Sequence, residues 1–268
     1  MSAAETEGAM SERVRVEIDV PIATVRLDLP DRHNVLDVDG WRAVAQAFRE
    51  LSARDDVRAI AVRGTGGRAF SAGSDIGALE VQRFEPDDVR AYSAAIADAM
   101  NAVRVCRHPT VAIIEGLCVG GGLEIAACCD LRVCEDSSRF GAPINRLGLT
   151  MSHEELTPLL QLLGPGPVLE ILLSGELIGA QRANVFGLVN RVHPTGTVVE
   201  QGYGLVARIA AGAPLVNRWH KKFVRRLLER DPLSDEERAE AHQAFETEDY
   251  HEGRAAFLEK RDPRFRGA

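Results

Sequence analysis

Val119-Gly120-Gly121-Gly122-Leu123-Glu124 decides the reading of this chain, together with Phe70-Ser71-Ala72-Gly73-Ser74-Asp75-Ile76 upstream. Each stretch is a glycine-containing turn between an apolar run and a helical pattern. The first N–H groups of a helix have no partner within it, and the helix dipole favours negative charge beside them. Two such N–H groups aimed at one point make an oxyanion hole, and Glu124 falls on the first helical turn next to it. Taken alone, the three glycines are also what a tight strand-to-helix turn needs, since glycine tolerates unusual dihedrals and close packing. Glu124 alone is also an acid that complements a helix dipole. The two turns and the carboxylate together point to chemistry on a carbonyl whose oxygen takes up negative charge.

Outward from these turns the chain alternates between strands and helices. Val14, Val16, Ile18 and Val20 alternate with polar residues, and Val25, Leu27 and Leu29 do so again after Pro21, which predicts a hairpin. Pro30-Asp31-Arg32-His33-Asn34 breaks the pattern as a loop. Asp37 is placed to cap a helix whose apolar face is Trp41, Val44, Phe48 and Leu51. Short apolar runs at 60–62, 111–114 and 131–133 read as buried strands, with a helix over 91–105. Later segments at 156–163, 168–173, 181–186, 198–211, 216–228 and 235–247 read as helices. Strands with helices first, then helices alone, predict an α/β core followed by a helical segment. The expected organisation is a disordered tail over 1–10, a core over 11–195 and a helical segment over 196–268.

Composition narrows the function classes. With 45% hydrophobic and 27% charged residues among 268, the chain has an ordinary globular composition. A net charge of −8 argues against a general nucleic-acid binder. The first ten residues are small and acidic, unlike a signal peptide, and no apolar run is long enough to span a bilayer. A cytoplasmic location is therefore expected, with no membrane partner. Cys106, Cys118, Cys128, Cys129 and Cys134 make an odd set without C-x-x-C, which reads as buried reduced thiols. No histidine pair has ligand spacing, and no metal is expected. Ser74 as a nucleophile lacks both an elbow motif and an evident base.

On the two glycine turns, the chain resembles the crotonase, or enoyl-CoA hydratase/isomerase, superfamily. Arg26-Leu27-Asp28-Leu29-Pro30, Asp130, Phe140-Gly141, Gly187-Leu188-Val189-Asn190 and Ala256-Phe257-Leu258-Glu259-Lys260-Arg261 extend the resemblance over nearly the whole length. The resemblance implies a ββα spiral core with a C-terminal helical trimerisation segment, a homotrimer or dimer of trimers, and an acyl-CoA thioester as substrate. Coenzyme A is then part of the substrate, and no separate cofactor is implied.

Matched residue by residue, the N–H groups of Ser74 and Gly121 would hold the thioester oxygen, and Glu124 is the first of two family glutamates. Ala72, Ile76, Gly120 and Ile144 would line the substrate site. Arg32 and His33 lie in the loop that meets the adenine end, and Phe257 and Lys260 match tail residues that meet the nucleotide, often from a neighbouring subunit. The chain departs from the family at three places. Phe140-Gly141-Ala142-Pro143-Ile144 has isoleucine where the second glutamate belongs. Thr150-Met151-Ser152-His153-Glu154-Glu155 replaces a glycine-rich turn, and Gly77 stands where many relatives have lysine.

Ser152 and Glu155 have capping-box spacing, which accounts for Glu155 as a helix cap. His153 and Glu154 are then the acids and bases left to point into the pocket in place of the lost glutamate. Pocket depth is expected to depend on 81–92. The nearest activity is enoyl-CoA hydration. The alternatives are a single-glutamate reaction (isomerisation, decarboxylation or C–C cleavage) or a non-catalytic acyl-CoA-binding protein.

Overall fold

The computed structural model describes residues 9–77, 86–229, 231–240 and 242–268. It opens with β1 (Ala9–Ser11), β2 (Val14–Asp19) and β3 (Ile22–Leu27). The hairpin read from alternation is formed, with Val14 opposite Leu27 and Ile18 opposite Ala23. Of the expected tail, 1–8 lie outside the described residues. Ala9 and Met10 belong to β1 instead, where Ala9 pairs with Arg15 and Met10 packs on the main core.

The helix α1 (Val38–Ala53) starts at Asp37, whose side chain accepts a hydrogen bond from Gly40 N at 2.8 Å. Its predicted apolar face of Trp41, Val44, Phe48 and Leu51 is buried. Three rounds of strand, strand and helix follow. The first comprises β4 (Ala59–Gly64), β5 (Ala69–Ser71) and α2 (Pro86–Val105). The second comprises β6 (Thr110–Ile114), β7 (Leu117–Val119) and α3 (Gly121–Cys128). The third comprises β8 (Leu131–Glu135), β9 (Arg139–Gly141) and, after a 3-10 turn at Pro143–Leu147, α4 (His153–Leu163). The helix predicted over 91–105 begins earlier, with proline at its first position and Asp87 and Asp88 in its first turn, both favourable at a helix start.

The chain continues through α5 (Pro165–Ser174), β10 (Ile178–Gly179), α6 (Ala180–Val185) and β11 (Arg191–His193). Two sheets result. The larger runs β1-β2-β3-β4-β6-β8-β11 and the smaller β10-β9-β7-β5. From β3 onward the larger sheet is parallel. Its strand β6 is buried throughout, as a parallel strand covered on both faces must be. This is the ββα spiral that the resemblance implied.

The smaller sheet positions the site. β5, β7 and β9 are parallel neighbours, so the segments that leave their carboxyl ends emerge side by side. Those segments are 72–75, the Gly120 turn and the Ala142–Leu147 stretch. In parallel sheets the carboxyl ends of the strands are where ligands bind.

The remaining helices are α7 (Val198–Ala210), α8 (Pro214–Leu228), α9 (Asp235–Glu240) and α10 (Glu248–Glu259). α7 covers the outer face of the larger sheet, where Val198, Leu205 and Val206 cluster with Ala61, Val111 and Ile113. The helical segment expected from 196 therefore begins with a layer of the core. The helix predicted over 235–247 is instead α9 followed by a 3-10 turn at Gln243–Glu246. Each of the two parts has its own anchor. Lys222 of α8 holds Glu240 at 2.6 Å, and the Phe245 ring meets Tyr250 of α10 edge-on at 5.1 Å. All five cysteines are buried free thiols. Among the described residues no helix is long and apolar enough to cross a membrane.

Candidate active site

The loop after β5 is held on both sides of one residue. Leu36 N donates to Gly73 O at 2.8 Å, and Asp75 N donates to Leu36 O at 2.8 Å. Ser74, between them, keeps its own N–H without an acceptor among the described residues. Ser71 Oγ donates to Asn34 O at 2.8 Å and accepts from Gly73 N at 3.0 Å, which fixes the entry to the turn. The exit is fixed by Asp75, whose buried carboxylate receives Arg13 at 3.0 Å and both prongs of Arg32 at 2.6 and 2.7 Å.

The second turn meets the first. Gly120 N donates to Gly141 O at 2.9 Å, which ties the start of α3 to β9. Gly73 has φ +86°, and a Cβ on it would lie 2.5 Å from Gly121 N. A Cβ on Gly121 would lie 2.6 Å from Cζ2 of Trp41. Both positions therefore exclude any side chain, and their closeness brings the N–H groups of Ser74 and Gly121 to one cavity.

That cavity has a volume of about 150 Å³. Ala72, Ser74, Ile76, Gly120, Gly121, Glu124 and Ile144 line it, as do Ile96, Leu147, Leu149, Thr150, Met151 and Glu155. A few polar groups in an apolar wall is the usual make-up of a small-molecule site. Glu124 is only 4% exposed. Burial raises its carboxyl well above the ordinary 4.5, and the negative charge of Glu155 adds to the rise. It is thus a neutral acid over part of the range in which most carboxyls are ionised, able to give or take a proton next to two bare N–H groups.

Seven of the residues singled out in the sequence meet in this cavity. Arg32, His33, Phe257 and Lys260 lie outside its lining. Arg32 grips Asp75, and His33 O accepts from Ala72 N at 2.9 Å, so both support the Ser74 loop from behind. Phe257 is 83% exposed on α10, and Lys260 closes that helix in a left-handed conformation. Of the 81–92 stretch expected to set pocket depth, 81–85 lie outside the described residues, and Tyr92 is buried.

The acids of the substituted turn fall differently from the expectation. The capping box forms, with Ser152 N donating to Glu155 Oε2 at 2.5 Å and Glu155 N to Ser152 Oγ at 3.3 Å. His153 and Glu154 point outward and do not line the cavity, whereas Glu155 does. The helical period explains this, because Glu155 shares a face with buried Leu159, four residues on. The sequence held that signal, but the cap offered a sufficient reason for Glu155. A larger groove of about 830 Å³ under α8, next to Trp219 and Phe223, holds none of the candidate site residues. No cluster of metal-ligating side chains is found among the described residues.

Comparison with known proteins places this geometry in context. The family model described as Enoyl-CoA hydratase/isomerase matches residues 17–268. The probable enoyl-CoA hydratase echA8 of Mycobacterium tuberculosis is 32% identical over 257 residues, 95% of this chain and 98% of its own. A crotonyl-CoA hydratase of Syntrophomonas wolfei is 28% identical, with 95% and 98% covered. Among solved structures, an enoyl-CoA hydratase/carnithine racemase from Magnetospirillum magneticum is 40% identical with a TM-score of 0.94, covering 96% of this chain and 97% of that one.

Proposed function

This chain belongs to the enoyl-CoA hydratase/isomerase family, and from that premise we propose that it is an enzyme acting on an acyl-CoA thioester, with hydration of a 2-enoyl-CoA as its reaction. One observation carries the reading. The acceptor-free N–H groups of Ser74 and Gly121 share a small cavity with buried Glu124.

In this reading the thioester oxygen accepts hydrogen bonds from Ser74 and Gly121. Addition at the β-carbon pushes the double-bond electrons toward that oxygen, and the two N–H groups stabilise the resulting enolate. One such donor is worth on the order of 3 kcal/mol of transition-state stabilisation. Glu124, whose carboxyl burial raises well above the ordinary range, donates its proton to the α-carbon. Ile144, Ile96 and Met151 keep the acyl part dry. The nucleotide end of coenzyme A is assigned to Arg32 and His33, and to Phe257 and Lys260 of a neighbouring copy in a homotrimer or dimer of trimers, acting in the cytoplasm. The exposure of Phe257 supports that last assignment.

Ile144 favours a second reading. It puts a hydrocarbon wall where the family pattern has a glutamate, which suits a reaction that needs one carboxyl group, such as double-bond isomerisation, decarboxylation or C–C cleavage. The deciding test follows loss of the enoyl thioester absorbance of crotonyl-CoA with wild type, Glu124→Gln and Ile144→Glu. Hydration by wild type and its loss in Glu124→Gln support the first reading. An inert wild type with activity gained in Ile144→Glu supports the second. Binding with no turnover in any variant leaves an acyl-CoA-binding protein.

A further inference from the structure

We propose that Glu155 is a catalytic residue of this enzyme: its carboxylate, projecting into the cavity opposite Ile144's hydrocarbon wall, is the base that activates water for attack on the enoyl thioester. The inference rests on the hydration reading above and adds the group which that reading lacks.

Three observations place Glu155 in the chemistry. It lines the same cavity as Ser74, Gly121 and Glu124, although it comes from a different helix and lies eleven residues beyond Ile144. Its negative charge adds to the rise of the Glu124 carboxyl, so the two groups of this cavity are within electrostatic reach of each other. Its hydrogen bonds use one oxygen only. Oε2 accepts from Ser152 N, and Oε1 has no protein donor among the described residues. Burial favours a proton on Glu124, which suits it to the acid's part and leaves the base's part to Glu155.

The step balances with water as the only co-reactant. Glu155 takes one proton from water as the oxygen bonds to the β-carbon. The electron pair of the double bond moves through the α-carbon to the thioester oxygen, which Ser74 and Gly121 hold. The enolate collapses, and the α-carbon takes the proton of Glu124. Glu155 then releases its proton to solvent and Glu124 takes one up, restoring the starting state.

The cap makes the test clean. Glutamine serves in a capping box as glutamate does but cannot take a proton. Glu155→Gln should fold with a melting temperature near that of wild type, bind acetoacetyl-CoA as wild type does, and lose at least about 100-fold in kcat for crotonyl-CoA hydration. Ile144→Glu in the Glu155→Gln background should recover turnover, because it returns a carboxylate to the same cavity. Ser152→Ala should show the reverse split, a lower melting temperature with turnover kept. If wild type hydrates and Glu155→Gln hydrates equally well, Glu155 is a cap only and the inference is overturned while the functional reading stands. If wild type binds the thioester yet hydrates nothing, the functional reading fails and the inference falls with it.

Discussion

A Cβ on Gly73 would stand 2.5 Å from the backbone nitrogen of Gly121, so the two turns that present the bare N–H groups are packed directly against each other. Gly73→Ala meets two obstacles at once, this overlap and a φ of +86°. The strained conformation costs on the order of 1–3 kcal/mol, and relief of the overlap moves Gly121 away from Ser74. Loss of one oxyanion donor lowers kcat by about 10²–10³. We expect Gly73→Ala to lower both the melting temperature and kcat, with a smaller change in KM. A variant with wild-type kcat would show that the contact between the turns has no part in catalysis.

Glu124→Gln should separate stability from activity. The sign follows from the direction of the shift. A carboxyl raised in the folded state binds its proton more tightly there than in the unfolded chain, so it lowers stability as pH climbs past the ordinary 4.5 toward the folded value. Glutamine carries no such penalty. At neutral pH the variant should melt a few degrees higher than wild type, while kcat falls by about 10²–10⁴. Thermal melts at pH 5 and pH 8 check the first part, since the gain should be larger at pH 8.

Much of this was legible in the chain because it depends on local period and local turns. Alternation at Val14, Val16 and Ile18 gives β2, the spacing of Trp41, Val44, Phe48 and Leu51 gives the buried face of α1, and glycines next to apolar runs mark both halves of the site. Features that depend on distant neighbours were not legible. The pairing of Ala9 and Ser11 with β2 needs a partner strand, and Glu240 and Phe245 meet partners on other helices, Lys222 and Tyr250. Arg32 reads as part of the loop at the adenine end, and only the fold shows that it also holds Asp75, 43 residues away. Glu155 has a local motif that explains it fully, and only the packing of α4 on α3 shows that the same side chain also reaches the cavity.

Asp75 links the Ser74 loop, the proposed oxyanion donor, to the rest of the protein. Its side chain is inaccessible to solvent and bridges Arg13 and Arg32, while its N–H holds Leu36 O. Asp75→Ala leaves Arg13 and Arg32 facing each other without the anion between them. Arg13 keeps Asp37 at 2.9 Å and Arg32 is half exposed, so the cost is that of lost charge-assisted hydrogen bonds, about 1–3 kcal/mol. The neighbouring Ser74 N–H loses its fixed direction, and a misplacement of about 1 Å costs roughly 100-fold in rate. Denaturant midpoints and kcat on the purified variant measure the two effects, and an unchanged midpoint would refute the anchoring role.

His108 gives the fold its own acid sensitivity, away from the site. Its ring is buried, with Nε2 at 3.1 Å from Leu51 O and 3.0 Å from Arg54 O, so Nε2 carries the proton as donor. Nδ1 is buried without a hydrogen-bond partner among the described residues. Burial, then the charges of Arg218 and Arg107, lower its pKa from 6.5 to about 4. The folded state therefore binds the proton less readily than the unfolded chain. The contribution of the neutral ring is fully present above pH 6.5, and it is lost as pH falls from 6.5 toward 4. His108→Gln keeps an amide donor for the two carbonyls and removes the titration. It should begin about 1–2 kcal/mol less stable at pH 7.5, from imperfect packing and hydrogen bonding, and lose less than wild type on going to pH 4.5. Urea midpoints of both proteins at pH 7.5, 6, 5 and 4.5 should converge. Parallel curves would assign the acid sensitivity to carboxylates instead.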